Sequence, residues 1–122
     1  MNAGDTFDCQ LDPYHLWVIA RKCRHGRVLI VTVTSPGRGK EETCVVRAGE
    51  HPRVTHDSLV NYSNAGVGTQ ADIINAALRG ELVANVPIAD DVVSAICAGV
   101  SGSRAPRSVK RFMTEDCCPE AA

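Results

Sequence analysis

Aromatic side chains and surplus positive charge are both scarce in this sequence. Phenylalanine, tyrosine and tryptophan make up 4% of the 122 residues, and the formal net charge at pH 7 is −1. Proteins that bind single strands without sequence preference stack the bases on aromatic side chains, and domains that bind nucleic acid by charge alone are strongly basic. The composition argues against both designs and leaves local basic patches open.

Long apolar runs and a targeting segment are also lacking. No stretch approaches the roughly 20 apolar residues that a membrane-spanning helix needs. Residues 1–5 contain neither the basic region nor the apolar run of a secretory signal peptide. We therefore predict no membrane association and a cytoplasmic protein.

The six cysteines do not have the spacing of a metal site. An even number suggests disulfides in a secreted protein, and no secretion signal is visible. Cys44 and Cys97 lie in apolar segments and are predicted to be small buried hydrophobic residues. Cys23 and His25 offer two ligands, but no second pair completes the set of four that zinc takes. We predict no metal and no cofactor.

The first half of the chain has the pattern of short strands. Turns such as Asp12-Pro13 and Arg24-His25-Gly26 separate segments rich in β-branched residues. Such spacing is typical of a small antiparallel barrel or meander. The predicted strands are residues 6–10, 14–20, 27–34, 43–47 and 58–62.

The second half changes to helical spacing. Thr69 is predicted to cap a helix that ends at Gly80, and residues 82–83 return briefly to strand. A second helix follows Pro87, with Asp90 and Asp91 near its start, where the helix dipole favours negative charge. The predicted apolar positions of the two helices are Ile73, Ile74, Ala77 and Leu78, and then Val92, Val93, Ile96 and Val100.

Length and apolar content fit one domain with one compact core, since 44% of the residues are apolar. We predict a mainly β fold: a small SH3-like antiparallel barrel followed by two or three short helices. The predicted domain covers residues 1–103. Residues 104–122 form a basic and then acidic tail, predicted to be partly helical or disordered.

The strand predicted over residues 27–34 ends in two hydroxyl side chains, Thr34 and Ser35. A glycine-rich loop with Arg38 and Lys40 follows. The loop is not a Walker A motif, because neither serine nor threonine follows Lys40. Two interpretations remain, a solvated hairpin loop and a loop that closes over a polyanion.

Two histidines are candidate site residues because histidine is the side chain that exchanges protons most readily near neutral pH. His15 opens a strand, and His56 begins the sequence His56-Asp57-Ser58. Neighbours in an extended chain point to opposite faces, so these three residues cannot form a relay among themselves. Asp57 and Ser58 are predicted to hydrogen-bond the turn before a strand. A plain structural role is the alternative for both histidines.

Taken in order, several short segments resemble the MazF/PemK family of toxin endoribonucleases. The resemblance spans residues 4–101 and rests on the order of the segments more than on any single motif. The matching segments are Gly4-Asp5, Asp12-Pro13, Leu16-Trp17-Val18-Ile19, Val28 to Ser35, residues 43–46, Asp57-Ser58-Leu59-Val60, and a later segment with Leu78, Gly80 and Leu82.

The resemblance implies an SH3-like barrel with added helices, a homodimer, an antitoxin protein as partner, and single-stranded RNA as substrate. It also implies metal-independent cleavage with the ribose 2′-hydroxyl as nucleophile. Thr34 and Ser35 match the family's hydroxyl pair, and His15 falls where some members place a functional histidine. On this basis the catalytic residues are His15, Thr34 and Ser35, and the substrate-binding residues are Arg38, Lys40 and His56.

The sequence departs from the family at its arginines. Where many members carry an arginine before the second strand, this chain has Tyr14 and His15, and an Arg-x-Asp position reads Asn61-Tyr62-Ser63. Arg38, Arg47 and Arg53 are candidate substitutes, and no motif selects among them. The alternative function is a non-catalytic SH3-like module that binds a protein or a nucleic acid.

Overall fold

The computed structural model describes residues 1–116, which form one antiparallel sheet of six strands curled into a half-barrel. The strands are β1 (Thr6–Cys9), β2 (Asp12–Lys22), β3 (Arg27–Thr34), β4 (Val45–Val46), β5 (Ser58–Thr69) and β6 (Leu82–Asn85), in the spatial order β4-β5-β3-β2-β1-β6. The helices are α1 (Gln70–Leu78), α2 (Asp90–Gly99) and α3 (Arg107–Arg111), and a π-helical turn, Phe112–Asp116, follows α3.

The predicted class is confirmed: a mainly β fold with a small antiparallel barrel and short helices after it. The principal difference is β5, which continues to Thr69, well beyond the predicted end at residue 62. Predictions for the end of the tail, including Cys117 and Cys118, lie outside the described residues.

Side chains alternate between the two faces of the sheet, and each face has its own apolar cluster. Val18 and Val31 pack with Ile96 of α2, Val109 of α3 and Phe112 of the π-helical turn, and all three of these side chains are fully buried. Ile19 and Val28 face the other way and pack with Ile73 of α1. Because β3 is covered on both faces, its sequence is an almost continuous apolar run.

The cysteines differ in state. Cys44 is buried and Cys97 half-buried, and both carry free thiols whose pKa is raised above the usual value by burial. The prediction of a buried Cys44 is confirmed. Cys23 is disulfide-bonded, which the sequence did not predict.

His51 is a buried histidine that the sequence did not single out. Its Nδ1 accepts the Arg53 amide N–H at 3.0 Å, so Nε2 carries the proton and donates to the Val86 carbonyl oxygen at 2.8 Å. Thr6 Oγ1 lies 3.1 Å from the same Nε2. This histidine joins the loop before β5 to β1 and to the end of β6.

A large bulge interrupts β5 opposite the middle of β3. Thr32 pairs with Asn61 and Ile30 pairs with Gly66, so residues 62–65 of β5 stand opposite Val31 alone. Bulges bend a strand and re-aim its side chains, and they are frequent beside active sites. Here the bulge buries Tyr62 and leaves Ser63 and Asn64 exposed.

Helix α1 begins at the predicted cap. Thr69 Oγ1 accepts the Asp72 amide N–H at 3.1 Å. Replacing Thr69 by alanine is expected to lower the free energy of unfolding by about 1 kcal/mol, because one amide at the helix start loses its acceptor. Urea denaturation measures this change. Thr69→Ser keeps the acceptor and is the control, and an equal loss in both variants would contradict the capping role.

Candidate functional site

A polar cavity lies at the end of β3, where the sequence placed its hydroxyl pair. It has a volume of about 160 Å³ and is lined by Thr34, Gly39, Lys40, Glu41, Asn61, Ser63 and Arg104. We call it the strand-end cavity. Lys40 Nζ donates to Thr34 Oγ1 at 3.1 Å and to the Ser35 carbonyl oxygen at 2.7 Å. The first part of the basic loop is therefore folded back on the strand it leaves.

A second set of hydrogen bonds anchors the same loop to the segment before α3. The Glu41 carboxylate accepts the Arg104 amide N–H at 3.0 Å and the Thr43 hydroxyl at 2.7 Å. The Arg104 guanidinium donates to the Gly39 carbonyl oxygen at 2.8 Å. Lys40 and Arg104 thus place two cations at one cavity. The single carboxylate there, Glu41, is held by the Arg104 main-chain N–H and the Thr43 hydroxyl.

Hydroxyl and amide side chains complete the lining. Thr34 is buried, Asn61 projects from β5 beside it, and Ser63 is supplied by the β5 bulge. Phosphate oxygens are hydrogen-bond acceptors, and arginine and lysine are the side chains that most often hold them. The cavity is therefore chemically suited to one phosphate group.

A smaller cavity of about 40 Å³ adjoins Thr34 on the other side and is lined in part by Ser35, Arg53 and His56. His56 is exposed, and its Nε2 lies 3.1 Å from Ser35 Oγ. Ser58 Oγ donates to the His56 carbonyl oxygen at 2.9 Å, as predicted for the turn before β5, whereas Asp57 Oδ1 accepts the Ala48 amide N–H at 2.9 Å, outside that turn.

Four of the six predicted site residues come together at this end of β3, namely Thr34, Ser35, Lys40 and His56. His15 lines neither cavity, but it adjoins Leu16, which pairs with Val33 of β3. Its Nδ1 lies 2.8 Å from Asp12 Oδ1. Arg38 is exposed and also lines neither cavity.

Of the arginines that the sequence proposed, Arg53 lines the smaller cavity with Thr34, but none lines the strand-end cavity. Arg47 pairs with Asp57, and Arg53 pairs with Asp8 and donates to the Pro13 carbonyl oxygen. Arg104, which the sequence assigned only to a basic tail, lines the strand-end cavity. No local signal could have found it, because its position depends on how the chain after α2 packs.

Neither a protein-family model nor a curated protein matches this chain. The MazF/PemK resemblance and the site assignments drawn from it stay predictions.

Over residues 1–116, no helix is long and apolar enough to cross a bilayer. Within the same range, no group of three or more His, Cys, Asp or Glu side chains is placed to hold a metal ion.

Proposed function

We propose that this protein is a MazF/PemK-like endoribonuclease that cleaves single-stranded RNA without a metal ion. The observation that carries the proposal is the strand-end cavity, where Lys40 and Arg104 flank the Thr34 hydroxyl beside the Ser35–His56 pair. The proposal includes what the resemblance implies: a cytoplasmic homodimer that serves as the toxin of a toxin–antitoxin pair and is bound by an antitoxin protein.

The scissile phosphate occupies the strand-end cavity in this proposal. The 2′-hydroxyl oxygen of the ribose attacks the adjacent phosphorus, the bond from phosphorus to the 5′ oxygen breaks, and a 2′,3′-cyclic phosphate and a 5′-hydroxyl end result. Extra negative charge develops on the phosphoryl oxygens in the transition state. Preorganised donors and cations stabilise such charge, and here they are Thr34, Lys40 and Arg104.

Proton transfer requires a base for the 2′-hydroxyl and an acid for the 5′ oxygen. His56 contacts Ser35 beside the cavity, and His15 lies on β2 next to the residue that pairs with Val33. These two histidines are the candidates for the two roles, because histidine is the side chain most often used as a general acid or base. Asp12 fixes the orientation of the His15 ring through its contact with Nδ1.

Incubation of the purified protein with mixed-sequence single-stranded RNA in EDTA tests the proposal. We expect fragments that end in a 2′,3′-cyclic phosphate. DNA of the same sequence should remain intact because it lacks the 2′-hydroxyl. Intact RNA after incubation with varied sequences would reject the enzyme.

Binding without cleavage is the second candidate function. It is favoured by the positions of Arg47 and Arg53, whose guanidinium groups are engaged with Asp57 and Asp8. RNA that is retained by the protein in a filter-binding assay, and that is recovered intact, would assign this protein to the non-catalytic binding modules.

A further inference from the structure

A third cavity lies on β2, β3 and β5, on the opposite side of the β5 bulge from the strand-end cavity. It is partly open, has a volume of about 240 Å³ and has a mainly apolar lining. We call it the Trp17 cavity. It is lined by Asp12, Trp17, Ile30, Thr32, Asn64 and Gly66, together with Val67 and Gly68.

The Thr32 side chain brings a buried polar group to this cavity. Thr32 is 7% exposed, and its buried hydroxyl oxygen has no hydrogen-bond partner within the described residues. A buried polar group without a partner is costly and rare in native proteins. Thr32 lines the cavity, so a bound molecule with a polar edge would supply the missing hydrogen bond.

The shape and chemistry of the lining favour a flat ring. Trp17 lies opposite Thr32 in the sheet, and its indole N–H donates to Asp12 Oδ2 at 3.3 Å, which fixes the plane of the ring system. Gly66 and Gly68 line the cavity on β5 and leave room for a ligand, because they carry no side chain. Asn64 adds an amide, and the Asp12 carboxylate retains unused acceptor capacity. An aromatic face with polar groups at the rim is how proteins hold an unpaired base.

The two cavities are close enough to hold one nucleotide. Thr32 lines the Trp17 cavity, and Thr34 lines the strand-end cavity two residues further along the same strand. Two residues of a β-strand span about 7 Å. The bulge contributes Ser63 to one cavity and Asn64 to the other. A base and its phosphate are joined by one ribose, so a nucleotide with its phosphate near Thr34 reaches the Trp17 cavity with its base.

We propose that the Trp17 cavity binds an unpaired nucleobase of the strand whose phosphate lies in the strand-end cavity. This inference rests on the proposed action on RNA and adds a base-binding pocket to it. The base stacks on Trp17 and hydrogen-bonds Thr32 and the rim groups. The pocket then favours some bases over others, and it is a source of sequence preference in cleavage.

Trp17 is the only tryptophan in the chain, so its fluorescence reports on this cavity. The ligand is a single-stranded DNA oligomer, which the proposed reaction cannot cleave, and the matched control is an abasic oligomer of equal length and charge. We expect quenching by the base-bearing oligomer and none by the abasic one. If both oligomers quench the Trp17 fluorescence equally, or if neither does while the protein still binds RNA, the base-binding pocket is wrong and the proposed function is unaffected. If neither the oligomers nor RNA binds, the proposed function fails with it.

Two substitutions locate the binding in the cavity. A Cβ at Gly66 would meet no atom within 4 Å, so the backbone there accepts a side chain, and Gly66→Leu places apolar bulk at the cavity wall. Thr32→Val replaces the hydroxyl by a methyl group and leaves a fold at least as stable, since that hydroxyl has no partner among the described residues. We expect each to weaken binding of the base-bearing oligomer by about 5- to 150-fold and to leave abasic binding unchanged.

The control variant is Ala71→Leu, which adds the same side chain on the exposed face of α1. It should bind both oligomers as the original protein does. Thermal denaturation confirms that each variant is folded. Unchanged binding of the base-bearing oligomer by both folded cavity variants would assign the base to another surface.

Discussion

Replacing Arg104 or Lys40 by alanine is expected to slow RNA cleavage by about 100- to 1,000-fold each, as removal of one donor to a developing oxyanion does in other enzymes. Both side chains line the strand-end cavity and carry the positive charge there. The single-turnover cleavage rate at saturating enzyme measures the effect. It separates the chemical step from binding, because all of the RNA is bound before cleavage.

Arg104→Ala removes the cation from the cavity and keeps the contact between its main chain and Glu41. Arg104 is held to Glu41 through its main-chain N–H, so alanine keeps this contact and removes the guanidinium with its bond to Gly39. Arg79→Ala is the matched control. Arg79 is an exposed arginine that pairs with Glu81 beyond the end of α1. Equal rates for Arg104→Ala, Lys40→Ala and Arg79→Ala would remove the strand-end cavity from the mechanism.

Replacing Gly99 by alanine is expected to lower the free energy of unfolding by about 2–4 kcal/mol, although alanine is the better helix former. A Cβ at Gly99 would overlap the Tyr62 hydroxyl oxygen and lie 3.1 Å from Tyr62 Cζ. Tyr62 is fully buried and its hydroxyl donates to the Ile96 carbonyl oxygen at 2.8 Å. Burial raises the pKa of Tyr62 above its usual value, so this donor stays protonated.

A double-mutant cycle with Tyr62→Phe isolates the overlap. Without the hydroxyl, the nearest atom to the new methyl group is the ring carbon at 3.1 Å, and a small shift relieves that contact. The cost of Gly99→Ala, measured by urea denaturation, should therefore be smaller in the Tyr62→Phe background. Gly102→Ala is the control, because a Cβ there meets nothing within 4 Å. Additive costs in the cycle would show that the two residues do not interact.

The Tyr62–Gly99 contact and the two cavities share one origin, the bulge in β5. The bulge turns Tyr62 into the core against α2 and presents Ser63 and Asn64 to the two cavities. The strand predicted from the sequence ended near this point, because the alternation of apolar residues stops at Tyr62. A strand that continues through Gly66 and Gly68 has no periodic signal, since glycine contributes no side chain to either face.

At the end of β3, some of the site residues were predictable from the sequence and others were not. The run from Val28 to Val33 predicted a buried strand, and it is buried on both faces. The two hydroxyls after it and the lysine in the next loop are neighbours in sequence, so their grouping was predictable and is found. His56 joins them from the start of β5. Arg104 and Asn61 were not predicted, because they reach Thr34 only through strand pairing and through the packing of the chain after α2.

The sequence by itself determined the class of fold and most of the secondary structure, apart from the second half of β5. The spacing of apolar residues and the turn and cap residues act locally, so the strand from residue 27, the cap at Thr69 and the apolar stripe of α2 could be read from short windows. Only the tertiary structure decided that Arg104 lines the strand-end cavity, that His51 joins a loop to β1, and that the buried Thr32 hydroxyl lies at a cavity. Those three facts depend on contacts between residues far apart in the chain. Such contacts are fixed by how whole faces pack against one another, and a local pattern holds no information about that.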